Sequence, residues 1–474
     1  MGLTSSYIAG QDVASTDTYA NIDPATGRSL GPVGLGGATE VDHAVGSALV
    51  AQREWVRSTP EQRSELLTAW AGLVDRDGEQ LARLESEDTG KPLSQARTDA
   101  TVAARYLRFY AHAIDSYYGL TIPKGPELHA YTVREPYGVV GAVLAWNYPM
   151  QLFSRTAAAG IAAGNAVVVK PAEETPRTTV ALARLAVEAG IPAGLVNVVT
   201  GTGEEAGAAL TAHPDVSHLG FVGSTEVGSI IARAAADRVV PTVLELGGKS
   251  AQVVFPDADL GAAAEAVARG VLQNAGQTCS AGSRLIVHRD VQDELLTRVV
   301  DRFRAVSLGP GLEDPDLGPL VSATQLQRVE GFMEDLAGGE LLFGGSRPGD
   351  ERLSAGSYFS PTLVHGVDPR GRIAQEEVFG PVVASMAFDD EEEAVALANA
   401  TDYGLLAAVW TRDISRGHRT AGALRAGQVF VNNYGAGGGV ELPFGGWGKS
   451  GYGREKGVEA LDSFTQTKTI IVRL

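Results

Sequence analysis

Val139-Val140-Gly141-Ala142-Val143-Leu144-Ala145 is an apolar run of strand length that contains no charged residue. Comparable apolar runs follow at 166–170, 196–199, 218–222 and 242–245. Helical patterns fit between and after these runs, and one of them, 178–189, stops at Gly190 before Ile191-Pro192, as helices commonly do. Strands that alternate with helices of this length predict a doubly wound, mostly parallel sheet.

A second region of strand–helix alternation begins near Gly248. Its predicted strands are 251–255, 284–288, 382–387 and 428–431. Its predicted helices are 261–273, 291–305 and 392–400. The sequence therefore predicts an α/β fold with two doubly wound regions.

Two further segments have other patterns. Apolar residues at helical spacing between 39 and 113 predict helices that precede the first strand run. Residues 120–135 carry prolines at 123 and 126 and alternate Tyr131 with Val133, which favours an extended hairpin. The tail 467–472 alternates like a strand but has no local partner. We expect it to pair with the hairpin near Tyr131, either within the subunit or across to another.

Length and charge exclude several classes of protein. A chain of 474 residues is enough for about two to three domains. The formal net charge of −18 argues against a nucleic-acid-binding surface. The N-terminal residues lack the layout of a signal peptide, and no uncharged apolar run approaches the roughly 18–20 residues of a spanning helix. We expect a cytoplasmic protein with neither a nucleic-acid nor a membrane partner.

Cys279 is the single cysteine of the chain and lies among small residues, in Gly276-Gln277-Thr278-Cys279-Ser280-Ala281-Gly282. One thiol excludes an intramolecular disulfide and any zinc site built on several thiolates. Two interpretations remain, a buried structural thiol and a nucleophile. The small neighbours leave room for a substrate at the sulfur, and a carboxylate with small neighbours, Glu245, lies upstream. These features favour the nucleophile.

Two glycine patterns compete for the role of phosphate-binding turn. Gly201-Thr202-Gly203-Glu204-Glu205-Ala206-Gly207 follows a strand, but its third glycine is late and its two carboxylates would repel a pyrophosphate. Phe221-Val222-Gly223-Ser224 also follows a strand and opens a helix, whose N-terminus attracts anions. We favour the second pattern, with a tight turn and helix cap as its alternative.

Lys170-Pro171-Ala172-Glu173 lies at the end of a predicted strand, where ligands of open parallel sheets bind. A lysine and a glutamate at this place suit the two hydroxyls of a ribose. The alternative is an exposed ion pair.

Taken together, these motifs resemble the NAD(P)-dependent aldehyde dehydrogenase superfamily. The resemblance rests on seven motifs in the family's order, spread over nearly the whole chain. They are Trp146-Asn147-Tyr148-Pro149, Lys170-Pro171-Ala172-Glu173, Phe221-Val222-Gly223-Ser224, Leu244-Glu245-Leu246-Gly247-Gly248-Lys249, Gly276-Gln277-Thr278-Cys279, Glu376-Glu377-Val378-Phe379-Gly380-Pro381 and Pro443-Phe444-Gly445-Gly446.

The resemblance implies an organisation into two Rossmann-like domains and a small β element for oligomerisation. Residues 1–113 and 137–246 would form the dinucleotide-binding domain, and 247–445 the catalytic domain. Residues 114–136 and 446–474 would form the oligomerisation hairpin and the C-terminal strand. The resemblance further implies a homodimer or a homotetramer.

The resemblance also implies a catalytic set that needs no metal. Cys279 would attack the aldehyde carbon, and Glu245 would be the general base for the thiol and for water. The Asn147 side-chain amide and the Cys279 backbone N–H would form the oxyanion hole. The resulting thioester would be hydrolysed to the carboxylic acid.

On the cofactor side the resemblance implies NAD, with NADP possible. Lys170 and Glu173 would bind the adenosine ribose, and the carboxylate of Glu173 would repel a 2′-phosphate. Ser224 and the helix after it would contact the pyrophosphate, and Glu377 the nicotinamide ribose, with Phe379 packed beside it. The remaining cofactor-binding candidates are Trp146, Gly223, Gly228 and Gly247.

The substrate tunnel departs from the family's common aromatic lining. The substrate candidates are Tyr148, Arg155, Gly438 and Phe444. Tyr148 keeps an aromatic, whereas Arg155 and Gly438 replace aromatics, so we expect a wide, partly polar tunnel. Arg155 resembles the arginine with which succinic semialdehyde dehydrogenases hold the substrate carboxylate, although Gln273 and Ala281 stand where that branch has a second arginine and a second cysteine. The alternative for Arg155 is an internal ion pair with Glu441.

Three other functions can be compared with this sequence. The CoA-acylating branch of the family lacks the base that Glu245 provides, so Glu245 favours water as the acyl acceptor. A non-enzymatic structural descendant need not keep Cys279, Glu245 and Asn147 together. An esterase that uses the same thiol would not need the cofactor residues.

Overall fold

The computed structural model describes residues 2–435 and 439–474. The N-terminal part contains strands β1 to β4 (Ser6–Ile8, Gln11–Val13, Thr18–Ile22, Ser29–Gly34) and helices α1 to α4 (Ala38–Trp55, Pro60–Arg76, Gly78–Thr89, Leu93–Ala113). The helices agree with the predicted helical segment. The strands were not predicted, because β2 and β3 are short and largely exposed and carry no apolar alternation.

The middle part of the chain contains the first strand–helix alternation. It follows strands β5 (Thr121–Ile122) and β6 (Leu128–Pro136). Its strands are β7 (Val139–Val143), β8 (Ala166–Lys170), β9 (Val196–Val198), β10 (His218–Val222) and β11 (Thr242–Glu245). Its helices are α5 (Pro149–Ala162), α6 (Arg177–Glu188), α7 (Ala208–Ala212) and α8 (Thr225–Arg238).

The C-terminal part contains the second alternation and the tail. Its strands are β12 (Ala251–Val254), β13 (Arg284–His288), β14 (Glu340–Phe343), β15 (Thr362–His365), β16 (Val382–Phe388), β17 (Tyr403–Gly404), β18 (Leu406–Trp410), β19 (Gln428–Val431), β20 (Trp447–Gly448), β21 (Gly451–Tyr452) and β22 (Thr465–Arg473). Its helices are α9 (Leu260–Leu272), α10 (Gln292–Arg304), α11 (Ala323–Met333), α12 (Arg372–Gln375), α13 (Glu391–Ala398), α14 (Ile414–Ala423) and α15 (Glu459–Ser463).

The first large sheet has the strand order β2-β1-β9-β8-β7-β10-β11-β21. Strands β9, β8, β7, β10 and β11 run parallel, and the edge strands pair antiparallel. Strands β7, β8 and β10 are buried along their whole length, as expected for parallel strands that helices cover on both faces. The predicted doubly wound, mostly parallel sheet is confirmed.

The order of the first sheet reverses between β7 and β10. The chain runs from β7 outward through β8 to β9, and then crosses to β10 and β11 on the other side of β7. Ligands of open α/β sheets bind beyond the carboxyl ends of the strands at such a point. The loops after β7 and β10 carry Asn147 and Ser224, so the topology brings these two residues to one place.

The second large sheet has the order β14-β15-β16-β13-β12-β18-β19. All its pairings are parallel except that of β14 with β15. The second doubly wound region is therefore confirmed, although the sequence did not predict β14, β15 or β18. Strand β18 lies next to β12 in the middle of the sheet, and its residues Leu-Ala-Ala-Val-Trp are an apolar run too short to distinguish from a helix by pattern.

A smaller sheet has the order β22-β6-β5. The tail pairs antiparallel with β6 in a register that sets Ile470 opposite Tyr131, so the predicted pairing exists within one subunit. The segment between β19 and β22 contacts both α/β regions. Its strand β20 pairs with β17, and its strand β21 pairs with β11 of the first sheet. Within the described residues, helices of the length and apolarity needed to cross a bilayer do not occur.

His218 and Phe464 fasten the tail to the first sheet. His218 begins β10, is fully buried, and stacks between the rings of Tyr137 and Phe464 at centroid distances of 5.4 and 5.2 Å. The Asn165 side-chain amide donates a hydrogen bond to the Phe464 carbonyl oxygen at 2.9 Å. Burial lowers the pKa of His218 to about 4, so the folded protein holds this imidazole neutral.

We predict that His218 makes the fold sensitive to acid. Because the folded pKa lies below the ordinary value of 6.5, the unfolded chain binds a proton more readily, and stability present above pH 6.5 is lost as the pH falls towards 4. The expected loss is about 2 kcal/mol of unfolding free energy by pH 5. Urea unfolding at pH 7.5 and pH 5 measures it.

His218→Phe should remove that part of the pH dependence while it keeps the ring stack. His43→Phe, which changes an exposed histidine of α1, is the control and should retain the wild-type dependence. An equal pH dependence for wild type and His218→Phe would contradict the prediction.

Candidate active site

A cavity of about 1170 Å³ opens where the order of the first sheet reverses. Beyond the carboxyl ends of β7 and β10 it also reaches the end of β11, the turn after α9 and the segment before β16. The predicted site residues that line it are Trp146, Asn147, Tyr148, Arg155, Gly223, Ser224, Glu245, Gly247, Cys279, Glu377, Phe379 and Phe444. Candidates of all three kinds, catalytic, cofactor-binding and substrate-binding, thus line a single cavity.

A strained turn carries Cys279 into this cavity. After α9, Asn274, Ala275 and Gly276 have φ values of 49°, 53° and 72°, which is left-handed backbone. A Cβ on Gly276 would stand 2.1 Å from the Gly380 carbonyl oxygen, so only glycine fits there. The side chain of Cys279 is half-buried. Backbone strain of this kind is concentrated at functional sites because the surrounding structure must hold it in place.

Asn147 is tied to the same turn by reciprocal hydrogen bonds. Its Nδ2 donates to the Gln277 carbonyl oxygen at 3.1 Å, and Asn274 Nδ2 donates to the Asn147 carbonyl oxygen at 2.9 Å. The Gln277 side chain is fixed in turn, because its Oε1 accepts from the Val321 N–H at 2.8 Å. The loop after β7 and the cysteine turn therefore hold one another in a single geometry.

A buried ammonium that the sequence did not point to completes this support. Lys91 Nζ donates to the Asn147 carbonyl oxygen at 2.9 Å and forms ion pairs with Glu85 at 3.3 Å and Asp99 at 2.5 Å. It also lies 4.3 Å from the centroid of the Tyr148 ring. Burial raises the pKa of Glu85 to about 7, while Lys91 lowers it. Lys91 stands between Gly90 and Pro92 in the loop from α3 to α4, where a lysine is by default a solvated residue, so the sequence carried no signal for this role.

Glu245 ends β11 inside the cavity and is only 2% exposed. In the described part of the chain, its two carboxylate oxygens have no hydrogen-bond partner. Burial raises the pKa of Glu245 well above its ordinary value, and Glu455 raises it further, whereas Arg155 lowers it. A Cβ at Gly445 would stand 2.9 Å from Glu245 Oε1, so the glycine leaves this carboxylate room. A carboxylate with a raised pKa is a stronger base near neutral pH.

The thiol of Cys279 lies in a poorly solvated, partly anionic setting. Burial raises its pKa to about 12, Glu377 and Glu245 raise it as well, and Arg155 and Lys456 lower it. The thiol is therefore protonated at neutral pH in this state and needs a base to become a nucleophile.

The turn Gly223-Ser224 opens helix α8 towards the cavity. Ser224 caps this helix, because its Oγ accepts from the Val227 N–H at 3.2 Å. A Cβ on Gly223 would stand 2.4 Å from the Phe221 ring, and one on Gly228 would stand 2.5 Å from the Leu246 side chain. Gly228 is thus a packing residue of α8 and does not itself line the cavity. The helix cap and the anion site, the two predicted roles of this segment, can both be provided by this turn.

Lys170 and Glu173 lie outside the residues that line the cavity, at the neighbouring carboxyl end of β8. Lys170 Nζ pairs with Glu173 Oε2 at 2.9 Å, and Glu173 Oε1 accepts from the Gly203 N–H at 2.6 Å. The lysine is buried and the glutamate half-buried, so this is not an exposed ion pair. The Gly201–Gly207 pattern therefore uses a backbone N–H to bind Glu173.

Glu377, Phe379 and Gly247 meet at the far side of the cavity. Glu377 Oε1 accepts from the Gly248 N–H at 2.8 Å, and a Cβ on Gly247 would stand 2.5 Å from Glu377 Oε2. Burial raises the pKa of Glu377 to about 7. Phe379 has left-handed backbone, with φ 57°, and its ring meets Trp146 edge-on at 5.2 Å.

Arg155 is buried and forms an ion pair with Glu455, not with Glu441. Glu441 instead pairs with Arg105 at 2.8 Å, where both side chains are exposed. The internal pairing expected as one alternative for Arg155 exists, but its predicted partner was wrong. Residues 155 and 455 lie far apart in the chain and meet only in the fold. The candidate Gly438 lies outside the described residues.

Within residues 2–435 and 439–474, His, Cys, Asp and Glu do not gather in a group that could hold a metal ion.

Comparison with known proteins agrees with this geometry. The sequence model of the aldehyde dehydrogenase family matches residues 11–470. A Burkholderia cenocepacia protein assigned to the aldehyde dehydrogenases is 48% identical over 99% of this chain and 100% of its own, with a TM-score of 0.97. Indole-3-acetaldehyde dehydrogenase of P. syringae, solved with NAD+ and IAA, is 38% identical over 99% and 96%, with a TM-score of 0.97. Betaine aldehyde dehydrogenase of Staphylococcus aureus, solved with NAD+, is 35% identical over 99% and 95%, with a TM-score of 0.96.

The family match over nearly the whole chain, together with these full-length structural likenesses, leads to one conclusion: this chain belongs to the aldehyde dehydrogenase family.

Proposed function

We propose that this protein oxidises an aldehyde to its carboxylic acid, with NAD as hydride acceptor and water as acyl acceptor. The observation that carries the proposal is that Cys279, Glu245 and Asn147 line one cavity, into which the N-terminus of α8 also opens. Membership of the aldehyde dehydrogenase family supports the same reaction.

The residues present fit a dinucleotide. The capped N-terminus of α8 offers backbone N–H groups and positive dipole for a pyrophosphate at the point where the sheet order reverses. Lys170, Glu173 and Glu377 offer polar groups for the two riboses, and Trp146 and Phe379 offer rings. Relatives from S. aureus and P. syringae were solved with NAD+.

We favour NAD over NADP because of Glu173. Its carboxylate is held in place by Lys170 and by the Gly203 N–H. A fixed negative charge there would repel a 2′-phosphate on the adenosine ribose. The rate with NADP should therefore be compared with the rate with NAD.

In the first half of the mechanism, Glu245 takes the proton of the Cys279 thiol, and the sulfur bonds to the aldehyde carbon. The carbonyl oxygen becomes an oxyanion in a tetrahedral thiohemiacetal. Asn147 Nδ2, which donates one N–H to the Gln277 carbonyl oxygen, has a second one for that oxyanion, and the Cys279 backbone N–H would be the other donor. Each such donor typically stabilises the transition state by about 3–4 kcal/mol. NAD, when bound, accepts the hydride of the aldehyde carbon.

In the second half, Cys279 carries the acyl group as a thioester. Once the proton taken from the thiol has passed from Glu245 to solvent, Glu245 removes a proton from a water molecule, which attacks the thioester carbon. The carbon–sulfur bond breaks, the carboxylic acid leaves, and Cys279 recovers a proton. The unpartnered oxygens of Glu245 suit a group that handles a proton twice in each turnover.

A panel of aldehydes tests the function. Absorbance at 340 nm is followed with NAD or NADP, with and without CoA, over straight-chain, aromatic and carboxylated aldehydes. NADH formation that does not require CoA is the expected result. Product that forms only with CoA would identify the acylating alternative, and no reaction with any aldehyde would favour the structural descendant.

We propose that the chain is divided as the family resemblance implies, into a cofactor domain of residues 1–113 and 137–246, a catalytic domain of 247–445, and an oligomerisation element of 114–136 and 446–474. The two large sheets and the sheet of β5, β6 and β22 support this division, although β20 and β21 of the last segment pair with β17 and β11. We further propose a homo-oligomer that uses the sheet of β5, β6 and β22. Strand β22 is the edge of that sheet and exposes Ile471 and Val472.

Light scattering of the purified protein should therefore give the mass of a dimer or a tetramer of the 49.4 kDa chain. A monomer at micromolar concentration would contradict this proposal.

Cys279→Ala should lower turnover by more than about 1000-fold, because no other group supplies the sulfur for the thioester. Its affinity for NAD, measured by fluorescence titration, should stay within about 2-fold of the wild type. Retention of most of the dehydrogenase activity would show that Cys279 is not the nucleophile.

Glu245→Gln should slow thioester release by about 100-fold or more, because the amide cannot take a proton from water. Because the substitution also removes the base for the thiol, rapid mixing should show a slowed first turnover of about one NADH per site, followed by a still slower steady state. The control is Glu330→Gln, which removes an exposed carboxylate that pairs with Arg347. A burst with an unchanged steady-state rate would overturn the role of Glu245.

A further inference from the structure

Lys456 places a nearly buried ammonium at the wall of the cavity. It is 7% exposed, lines the cavity, and its Nζ lies 4.7 Å from the centroid of the Phe444 ring. Among residues 2–435 and 439–474, none forms an ion pair or a hydrogen bond with this ammonium. Burying an unpaired charge is costly, so a native site with one calls for an explanation.

The other cations that line the cavity are engaged. Arg155 pairs with Glu455 and Arg105 with Glu441, while Arg302 pairs with Glu265. Arg269 and Arg328 donate to the carbonyl oxygens of Tyr434 and Glu377. In the described part of the cavity wall, Lys456 is therefore the cation with neither an ion pair nor a hydrogen bond, although its charge also acts on the carboxylates of Glu245 and Glu455.

The backbone holds Lys456 in an unfavourable conformation. Its φ is 61°, in the left-handed region, which glycine adopts freely and lysine does not. Its neighbours are fixed, because Glu455 exchanges backbone hydrogen bonds with Phe444 at 2.7 and 2.8 Å and Gly457 N–H donates to Val440 at 2.9 Å. A lysine retained at a strained and anchored position points to a role for its side chain.

The surroundings of Lys456 belong to the substrate side of the cavity. Phe444 lies under both Lys456 and Arg155, whose Cζ is 5.8 Å from the ring centroid. Gly435, Gly439 and Val440 line the same wall and offer little bulk. An apolar ring with a free ammonium above it suits a ligand that has a carbon chain and an anionic end.

We propose that Lys456 determines specificity by binding a carboxylate at the end of the aldehyde distal to its reacting carbonyl. This inference rests on the proposed aldehyde oxidation and names the substrate class, an aldehyde that carries a carboxylate. The distal carboxylate pairs with the Lys456 ammonium while the carbonyl lies at Cys279. A neutral aldehyde leaves the ammonium unpaired and loses that interaction.

Lys456→Met tests this, because methionine keeps an unbranched chain of similar length without the charge. The substrates are matched pairs: 4-oxobutanoate with butanal, 6-oxohexanoate with hexanal, and 4-carboxybenzaldehyde with benzaldehyde. For the best carboxylated member, kcat/KM should fall by about 10- to 100-fold, mainly through KM. For its neutral partner the change should stay within about 3-fold.

Arg57→Met is the matched control. It removes an exposed cation that pairs with Glu54 at the end of α1 and does not line the cavity, and both substrate classes should be unaffected. Equal losses on carboxylated and neutral aldehydes in Lys456→Met would overturn the proposal and assign the ammonium to the reacting sulfur instead.

Two measurements on the wild type keep the proposal testable if Lys456→Met does not fold. First, the wild type should prefer at least one carboxylated aldehyde over its neutral partner by about 10-fold or more in kcat/KM, and no preference would overturn the proposal. Second, calorimetry without cofactor should show tighter binding of that carboxylated aldehyde than of its neutral partner. If the protein oxidises no aldehyde at all, the proposed function fails, and the calorimetric comparison alone decides the role of Lys456.

Discussion

A reciprocal pair of hydrogen bonds joins the two α/β regions at the site. Asn147 belongs to the loop after β7 and donates to the Gln277 carbonyl oxygen, while Asn274 donates back to the Asn147 carbonyl oxygen. Lys91 Nζ donates to that same carbonyl oxygen, so three hydrogen bonds hold Asn147 in place. The position of Cys279 relative to the loops of the first sheet depends on this contact, together with the Gln277–Val321 hydrogen bond and the close packing of Gly276 on Gly380, which also hold the strained turn.

Much of the fold could be predicted because its central strands are buried on both faces. Strands β8, β10, β11 and β13 were predicted with the bounds that the structure has, since each reads as an apolar run between turn residues, and the half-buried edge strand β19 was predicted with its bounds as well. Strand β18 was missed although it is central, because five apolar residues with two alanines do not distinguish strand from helix. Strand β14 was missed although Leu341, Leu342 and Phe343 are apolar, because so short a run does not identify a strand by pattern.

The candidate site was predictable where a motif carries it and not where a long-range approach does. Sequence motifs predicted many of the residues that line the cavity with Cys279, because several of these motifs follow a strand or open a helix at the same end of the first sheet. The partner of Arg155 could not be read in this way, since Glu441 and Glu455 are both remote from it in sequence and only the fold sets Glu455 beside it. Lys91 and Lys456 were missed because a lysine in the sequence is by default a solvated residue, and burial is a property of the fold alone.

The pairing of β22 with β6 also has a consequence for the order of events during synthesis. Strand β6 leads directly into β7, the strand at the centre of the first sheet, yet its partner lies within the last ten residues of the chain. The edge strand β21 and the ring of Phe464 arrive equally late. Almost the entire polypeptide must therefore leave the ribosome before the strands of the first α/β region and β6 find their last partners. Until then the nascent chain has an unpaired strand edge.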